Sequence, residues 1–223
     1  MKILALETAT EACSAAVWHD GQVVERFELG RRHSERILSM VDEVLVESGY
    51  SLRQMDALAF GRGPGSFTGL RIGAGVAQGL AFGADLPVVP VSTLAALAQG
   101  QSTSRVMAAL DARMGQVYWG LCVNTGNGMK LVEPERVSAP GDIVLPGDVT
   151  WIGVGSGWDE YAAALLARLG PSIRAWQAQI WPRASHVAEL GAHGVASGGT
   201  VAAQEALPLY VRDDVAQKSS VRR

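Results

Sequence analysis

Glu7 and Asp111 are the two carboxylates whose placement could support acid–base work. Each ends an apolar, strand-like run, Ile3 to Glu7 and Arg105 to Asp111, so the two acids would face a cleft, one from each of two units. A glycine-rich stretch, Gly63-Pro64-Gly65-Ser66-Phe67-Thr68-Gly69, lies between a strand pattern and a helix pattern, where backbone N–H groups can hold an anion. It lacks the Lys of a phosphate-binding Walker loop, and Thr68 breaks the spacing of a serine-hydrolase elbow. A tight turn with Ser66 or Thr68 capping the next helix is the preferred reading. Gly153-Val154-Gly155-Ser156-Gly157 is a second strand–glycine–helix junction, with Trp158 where a dinucleotide fingerprint has its third glycine. It too reads first as a turn, with Ser156 or Asp159 as cap, which leaves Glu7, Thr8, Asp111 and Gly155 as weak candidates for a nucleotide. His186, Glu189 and His193 share a helix face, but seven residues separate the histidines by about 10.5 Å, too far to chelate one ion together. Cys13 and Cys122 sit in apolar runs as small buried thiols. No metal and no cofactor are expected.

The elements that would position these residues follow from periodicity. Ile3–Glu7, Cys13–His19 and Gln22–Leu29 read as strands, with Asp20-Gly21 as the hairpin turn. Ser34–Ser48 carries Ile37, Leu38, Val41, Val44 and Leu45 at helical spacing and stops at Gly49. Asp56–Phe60 is a strand, Thr68–Gly83 a long helix, Pro87–Val91 a strand and Ser92–Gln99 a short helix. The pattern then restarts at Arg105–Asp111 and Gln116–Val123, which points to a duplicated domain. Its second copy departs at a Pro- and Gly-rich stretch from Pro134 to Gly147; Val149–Val154, a helix over Asp159–Leu169 and a helix over Ser185–Ser197 follow. The expected fold is α/β: two tandem domains of mixed sheets flanked by helices, 1–103 and 104–223. The second is the smaller, and its terminal helices are free to pack back on the first.

Within the long helix, Gly75, Gly79 and Gly83 recur every fourth residue, and Gly69 and Gly73 form a second such pair. Each interior glycine costs about 1 kcal/mol relative to alanine, so close backbone packing must recover the cost. The helix is too apolar all round for a one-sided surface element, and we expect it to meet another chain.

The chain has 223 residues, 48% of them hydrophobic and 18% charged, against about 25% charged in typical soluble domains, which supplies material for two cores and excludes global disorder. Net charge is −3, and of 19 basic residues only Lys2, Lys130 and Lys218 are lysines, so no dense basic face marks an electrostatic nucleic-acid binder. The apolar stretch before Glu7 is too short for a signal peptide, and no run reaches the roughly 18 apolar residues of a membrane span. A cytoplasmic location is expected.

The run Ile3-Leu4-Ala5-Leu6-Glu7-Thr8-Ala9, its hairpin and the restart at Asp111 resemble the actin/Hsp70/sugar-kinase (ASKHA, ribonuclease H-like) superfamily. Within it, Phe60-Gly61-Arg62-Gly63-Pro64-Gly65-Ser66-Phe67-Thr68-Gly69-Leu70-Arg71-Ile72-Gly73 resembles the signature of the bacterial TsaB (YeaZ) family. The likeness extends through Pro87–Ser92 to Pro208-Leu209-Tyr210-Val211-Arg212 and so covers nearly the whole chain.

The resemblance implies a noncatalytic subunit for threonylcarbamoyl transfer to adenosine 37 of tRNAs reading codons that begin with A. Its paralogue TsaD would carry the chemistry, TsaE would be a small ATPase partner, and tRNA would be met through the complex. The family uses helices 34–48 and 68–83 to pair with TsaD, or with a second copy when TsaD is absent, which implies an interface at Ile37, Val41, Leu45, Arg71, Gly75, Gln78, Gly79 and Phe82. The catalytic sister family holds its metal with a His-x-x-x-His pair where this chain has Thr93 and Leu97. The superfamily's Asp-x-Gly-Thr phosphate loop reads Glu7-Thr8-Ala9-Thr10 here, and Ala9 brings a Cβ where glycine lets the backbone approach a phosphate. The alternative reading is an ATP-binding or ATP-hydrolysing ASKHA enzyme with Glu7 and Asp111 at an inter-domain cleft. The tail Lys218–Arg223 is basic, and sequence leaves open whether it touches tRNA.

Overall fold

The computed structural model describes residues 1–147 and 149–212; the basic tail lies outside them. The chain opens with three antiparallel strands, β1 (Lys2–Glu7), β2 (Ala12–His19) and β3 (Gln22–Leu29). Asp20 (φ 49°) and Gly21 (φ 89°) take the positive φ values that a two-residue hairpin turn demands. Helix α1 (His33–Ser48) follows and ends at Gly49, whose φ of 72° forms the left-handed cap. Then come β4 (Ala57–Gly63), α2 (Phe67–Ala84), β5 (Val88–Ser92) and the short α3 (Thr93–Gln99). The second part runs β6 (Arg105–Arg113), β7 (Gln116–Asn124), β8 (Met129–Leu131), β9 (Arg136–Ser138), β10 (Trp151–Val154), α4 (Ser156–Leu169), β11 (Ile173–Gln177) and α5 (Ala184–Ala196).

Two mixed sheets result. The first has the order β3-β2-β1-β4-β5, the second β11-β10-β6-β7-β8 with β9 paired to β7. In each, the first strand of the antiparallel set is also the parallel partner of a later strand: β1 with β4, and β6 with β10. Read from the opposite end, the second sheet repeats the order of the first. Strands β9 and β11 were not foreseen. The first hides in the proline- and glycine-rich stretch, and the second is a mostly exposed edge strand without period-2 alternation.

Helices α1 and α2 pack on one face of the first sheet around Leu4, Leu6, Leu58 and Phe60. Helix α5 covers its other face, seating Ala184, Val187, Ala188 and Ala192 against Ile3, Ala5 and Ala59. Small side chains are required there: a Cβ built on Gly191 would come within 2.6 Å of the Ala59 Cβ. The helix entrance is fixed by Arg183, paired with Glu25 at 2.6 Å, and by Ala184 N, which donates to the buried Ser14 Oγ at 2.9 Å. Helix α3 packs on the second sheet against Val106, Ala108, Leu110 and Cys122, and α4 covers that sheet's opposite face through Trp158 and Leu165. The middle layer of the molecule is therefore α3 and α5, lying between the sheets. Each fully buried Leu or Ile side chain in these clusters contributes about 2 kcal/mol.

Candidate functional site

The glycine loop is built by close packing. Ser66 caps α2, its Oγ accepting from Gly69 N at 3.4 Å, while its own N donates to Ala9 O at 2.7 Å. Thr68, the other cap candidate, is exposed. Built Cβ atoms would lie 2.2 Å from Ala9 O at Gly65, 2.0 Å from Thr8 O at Gly69 and 2.4 Å from Thr8 Oγ1 at Gly73. Thr8 Oγ1 in turn donates to Gly69 O at 2.8 Å. The N-terminal end of α2 thus lies directly on the β1–β2 turn, and its first glycine pair is an internal contact.

Glu7 sits behind this contact, 1% exposed. Its Oε1 accepts from Ala9 N at 2.7 Å and its Oε2 from Thr93 Oγ1 at 3.2 Å; Thr93 Oγ1 also accepts from Gly63 N at 3.2 Å. Gly61 leaves the room for the carboxylate, since a Cβ there would fall 2.0 Å from Oε2. Burial without a cationic partner pushes the Glu7 pKa up to about 7 against the pull of these hydrogen bonds. The expected pair of cleft-facing acids is therefore corrected. Glu7 and Thr8 belong to the interior of the first half, and only Asp111 borders the cavity between the halves.

That cavity measures about 860 Å³. Asp111 Oδ1 accepts from Arg113 N at 2.7 Å and from Tyr161 Oη at 3.2 Å, and Oδ2 pairs with Arg113 at 2.9 Å. Gly155 (φ 101°) stands just before α4, where a Cβ would meet Ala109 O at 2.4 Å; its neighbour Ser156 reaches the cavity and accepts from Asp111 N at 3.1 Å. His33 donates through Nε2 to Thr10 O at 2.7 Å at the cavity wall. Arg31, Arg113 and Arg212 also border the space.

Thr93 and Leu97, at the positions the resemblance compares with metal ligands, are buried in α3. Among the described residues no group of three or more His, Cys, Asp or Glu side chains is placed to hold a metal ion. Both thiols are buried, which pushes Cys13 up to about 11 and Cys122 up to about 12. Among the described residues no helix is long and apolar enough to cross a membrane.

The second glycine set of α2 has the opposite environment. Cβ atoms built on Gly75, Gly79 and Gly83 would meet nothing within 4 Å. Arg71, Gly75, Gln78, Gly79 and Phe82 follow one another at helical spacing along this outer face, and Phe82 is 82% exposed. On α1 the expected interface residues are corrected. Ile37, Val41 and Leu45 are 1%, 2% and 8% exposed and fill the core under α1, because the apolar stripe of an amphipathic helix is spent on its own sheet. The outward apolar residues of α1 are Leu38 and Val46. Sequence reasoning also missed Arg62, whose guanidinium pairs with the buried Glu135 at 2.9 Å, and Tyr210 and Arg212, which had only the Pro208–Arg212 likeness to mark them.

Comparison with known proteins places the chain. The family model described as TsaD, tRNA N6-adenosine threonylcarbamoyltransferase, matches residues 27–216. The tRNA threonylcarbamoyladenosine biosynthesis protein TsaB of Escherichia coli is 45% identical, covering 98% of this chain and 97% of that protein. Its namesake from Haemophilus influenzae is 42% identical, covering 98% and 96%. The solved structure of YeaZ from Pseudomonas aeruginosa superposes with a TM-score of 0.88 at 43% identity, over 94% of this chain and 99% of that one. The chain therefore belongs to the family that this model describes and, within it, to the TsaB (YeaZ) proteins.

Proposed function

We propose that the chain is a noncatalytic subunit of the machinery that makes threonylcarbamoyladenosine in tRNA, acting as scaffold and activator of TsaD. The modified position would be adenosine 37 of tRNAs reading codons that begin with A, with tRNA met through the complex and TsaE as a further partner. The matching strand order of the two sheets supports reading 1–103 and 104–223 as tandem domains. The observation that carries the proposal is the outer face of α2: three glycines with open space above them, flanked by Arg71, Gln78 and a Phe82 that is 82% exposed. An isolated surface helix would gain about 1 kcal/mol from alanine at each such glycine, so the bare backbone is best explained by a second helix lying on it. The neighbouring α1 also presents exposed apolar side chains, Leu38 and Val46. TsaD is the occupant proposed, and a second copy takes its place when TsaD is absent.

A noncatalytic role is supported by Ala9, whose Cβ stands where the superfamily's phosphate loop has glycine, and by an unexposed Glu7. Replacing Gly79 with Leu should abolish TsaD binding and self-association while the melting temperature stays within a few degrees. Nucleoside mass spectrometry of tRNA from cells depleted of the native subunit should then show no restored threonylcarbamoyladenosine. Full restoration by the variant would sink the proposal.

One observation favours a second reading, an ATP-handling enzyme: the cavity of about 860 Å³ with Asp111, Ser66 and three arginines at its walls. Isothermal titration with ATP and magnesium separates the two, since tight binding to the isolated chain that is lost on Asp111→Ala favours the enzyme.

A further inference from the structure

Residues 206–212 form no regular element, and a segment without a ladder of its own must place its polar groups elsewhere. It does so on both halves of the molecule. Ala206 O accepts from Gln78 Nε2 at 3.2 Å, Leu209 N donates to Arg62 O at 2.7 Å, and Tyr210 Oη accepts from Arg71 Nε at 3.2 Å. The segment therefore runs antiparallel along α2 from Gln78 back to Arg71. It then crosses the mouth of the cavity, where Arg212 donates to Ala112 O at 3.0 Å and to Gln116 Oε1 at 2.6 Å on the β6–β7 turn.

A second tie lies beside it. Arg62, whose carbonyl holds Leu209, sends its guanidinium to Glu135, just ahead of β9. Strand β9 pairs with β7 at Val117–Trp119, adjoining the Gln116 that receives Arg212. Both ties thus land on one patch of the second sheet. On its outer side the segment borders the glycine face, with Leu207 63%, Phe67 51% and Tyr210 44% exposed. The Arg71 guanidinium rests over the Phe67 ring at 3.8 Å while its Nε is held by Tyr210, so its direction is fixed.

We propose that Tyr210 and Arg212 are positioning residues for the docking face of α2. The strap of residues 206–212 holds Arg71 beside the Gly75–Gly79 floor and ties that floor to the β6–β7 turn, so that a partner seated on α2 also restrains the second half. This inference rests on the docking proposed above, and its test separates the two.

The first measurement uses the chain alone. Hydrogen exchange at the Leu209 amide should accelerate at least about tenfold in Arg212→Ala, the scale on which one well-made hydrogen bond shifts a local equilibrium. Arg212→Lys, which keeps a donor for Ala112 O, should restore part of the protection, and the melting temperature should move little. The second adds the cognate TsaD. Amides of Ala112–Tyr118 should slow in the wild type and stay unchanged in Arg212→Ala. Tyr210→Phe, which keeps the ring and loses the acceptor for Arg71, should weaken binding about fivefold. An unchanged Leu209 amide, or equal slowing of the turn in Arg212→Ala, would overturn the strap while leaving docking intact. Protection of no α2 amide by TsaD would overturn the docking reading and the positioning role with it.

Discussion

The β1–β2 turn and the β6–β7 turn occupy the same place in two sheets of the same strand order, each following an acid near the end of the leading strand. Both turns border the cavity, but the two acids are differently placed. Glu7 is enclosed behind the turn on which α2 packs, against Gly61 of β4 and Thr93 of α3, is held by uncharged donors, and has a pKa pushed up to about 7 by burial. Asp111, with its side chain 13% exposed, borders the cavity and pairs with Arg113, which is 68% exposed. What separates them is the helix that follows. The first half has the loop and helix α2, with Gly65, Gly69 and Gly73 pressed on the turn; the second half brings only α4 and the strap's Arg212 to the same place. A repeated strand pattern therefore does not imply a repeated site, because a site depends on what lies above the turn.

The largest break in this comparison should come from Gly69→Ala. Its Cβ would sit 2.0 Å from the Thr8 carbonyl oxygen, a backbone atom that cannot move without displacing the β1–β2 turn. A loss of about 4 kcal/mol or more is expected in urea unfolding. Gly157→Ala, whose Cβ approaches Ala109 no closer than 3.0 Å in the open half, should cost distinctly less. Equal losses would mean that the covering helix is not what distinguishes the halves.

Next in size is the pH dependence of Glu7. Its folded pKa of about 7 lies above its ordinary value of 4.5, so the folded state holds this proton more tightly than the unfolded chain. The stability this supplies is full below pH 4.5, is lost as pH rises towards about 7, and is absent above that. The loss is about 3 kcal/mol, at about 1.4 kcal/mol per pH unit. Glu7→Gln keeps an acceptor for Ala9 N and removes the titration. The wild type minus variant difference in unfolding free energy should therefore fall across this window, and a flat difference would refute the uncompensated burial of Glu7. The smallest effect belongs to the open half: Asp111→Asn removes a pair whose arginine is mostly in water and should cost under about 1 kcal/mol.

Much of the molecule was legible in its residues. The hairpin at Asp20-Gly21, the helix ended by Gly49 and the restart at Arg105 all appear close to where local chemistry placed them, because φ preference and hydrophobic period act over a few residues. The glycine repeat of α2 is also visible in the sequence; the structure gives close internal contacts to Gly69 and Gly73 and none to Gly75, Gly79 and Gly83. The same period, however, could not say which side of α1 was spent on the core. The spacing of Ile37, Leu38, Val41, Val44 and Leu45 predicts one apolar face, whereas Leu38 is 52% exposed.

By itself, then, the sequence determined the helices, the strands other than β9 and β11, the doubled order and the kinship with TsaB proteins, all of which are written in local period and matching residues. Only the tertiary structure decided which glycines face inward, at Gly69 and Gly73, and which stay bare, at Gly75 and Gly79. It also decided that Glu7 is enclosed and that residues 206–212 join the two halves. The physical reason is common to these cases. Burial and long-range hydrogen bonds depend on which distant segment lies above a residue, and Thr8 meeting Gly69 or Arg62 meeting Leu209 has no trace in the period of either stretch.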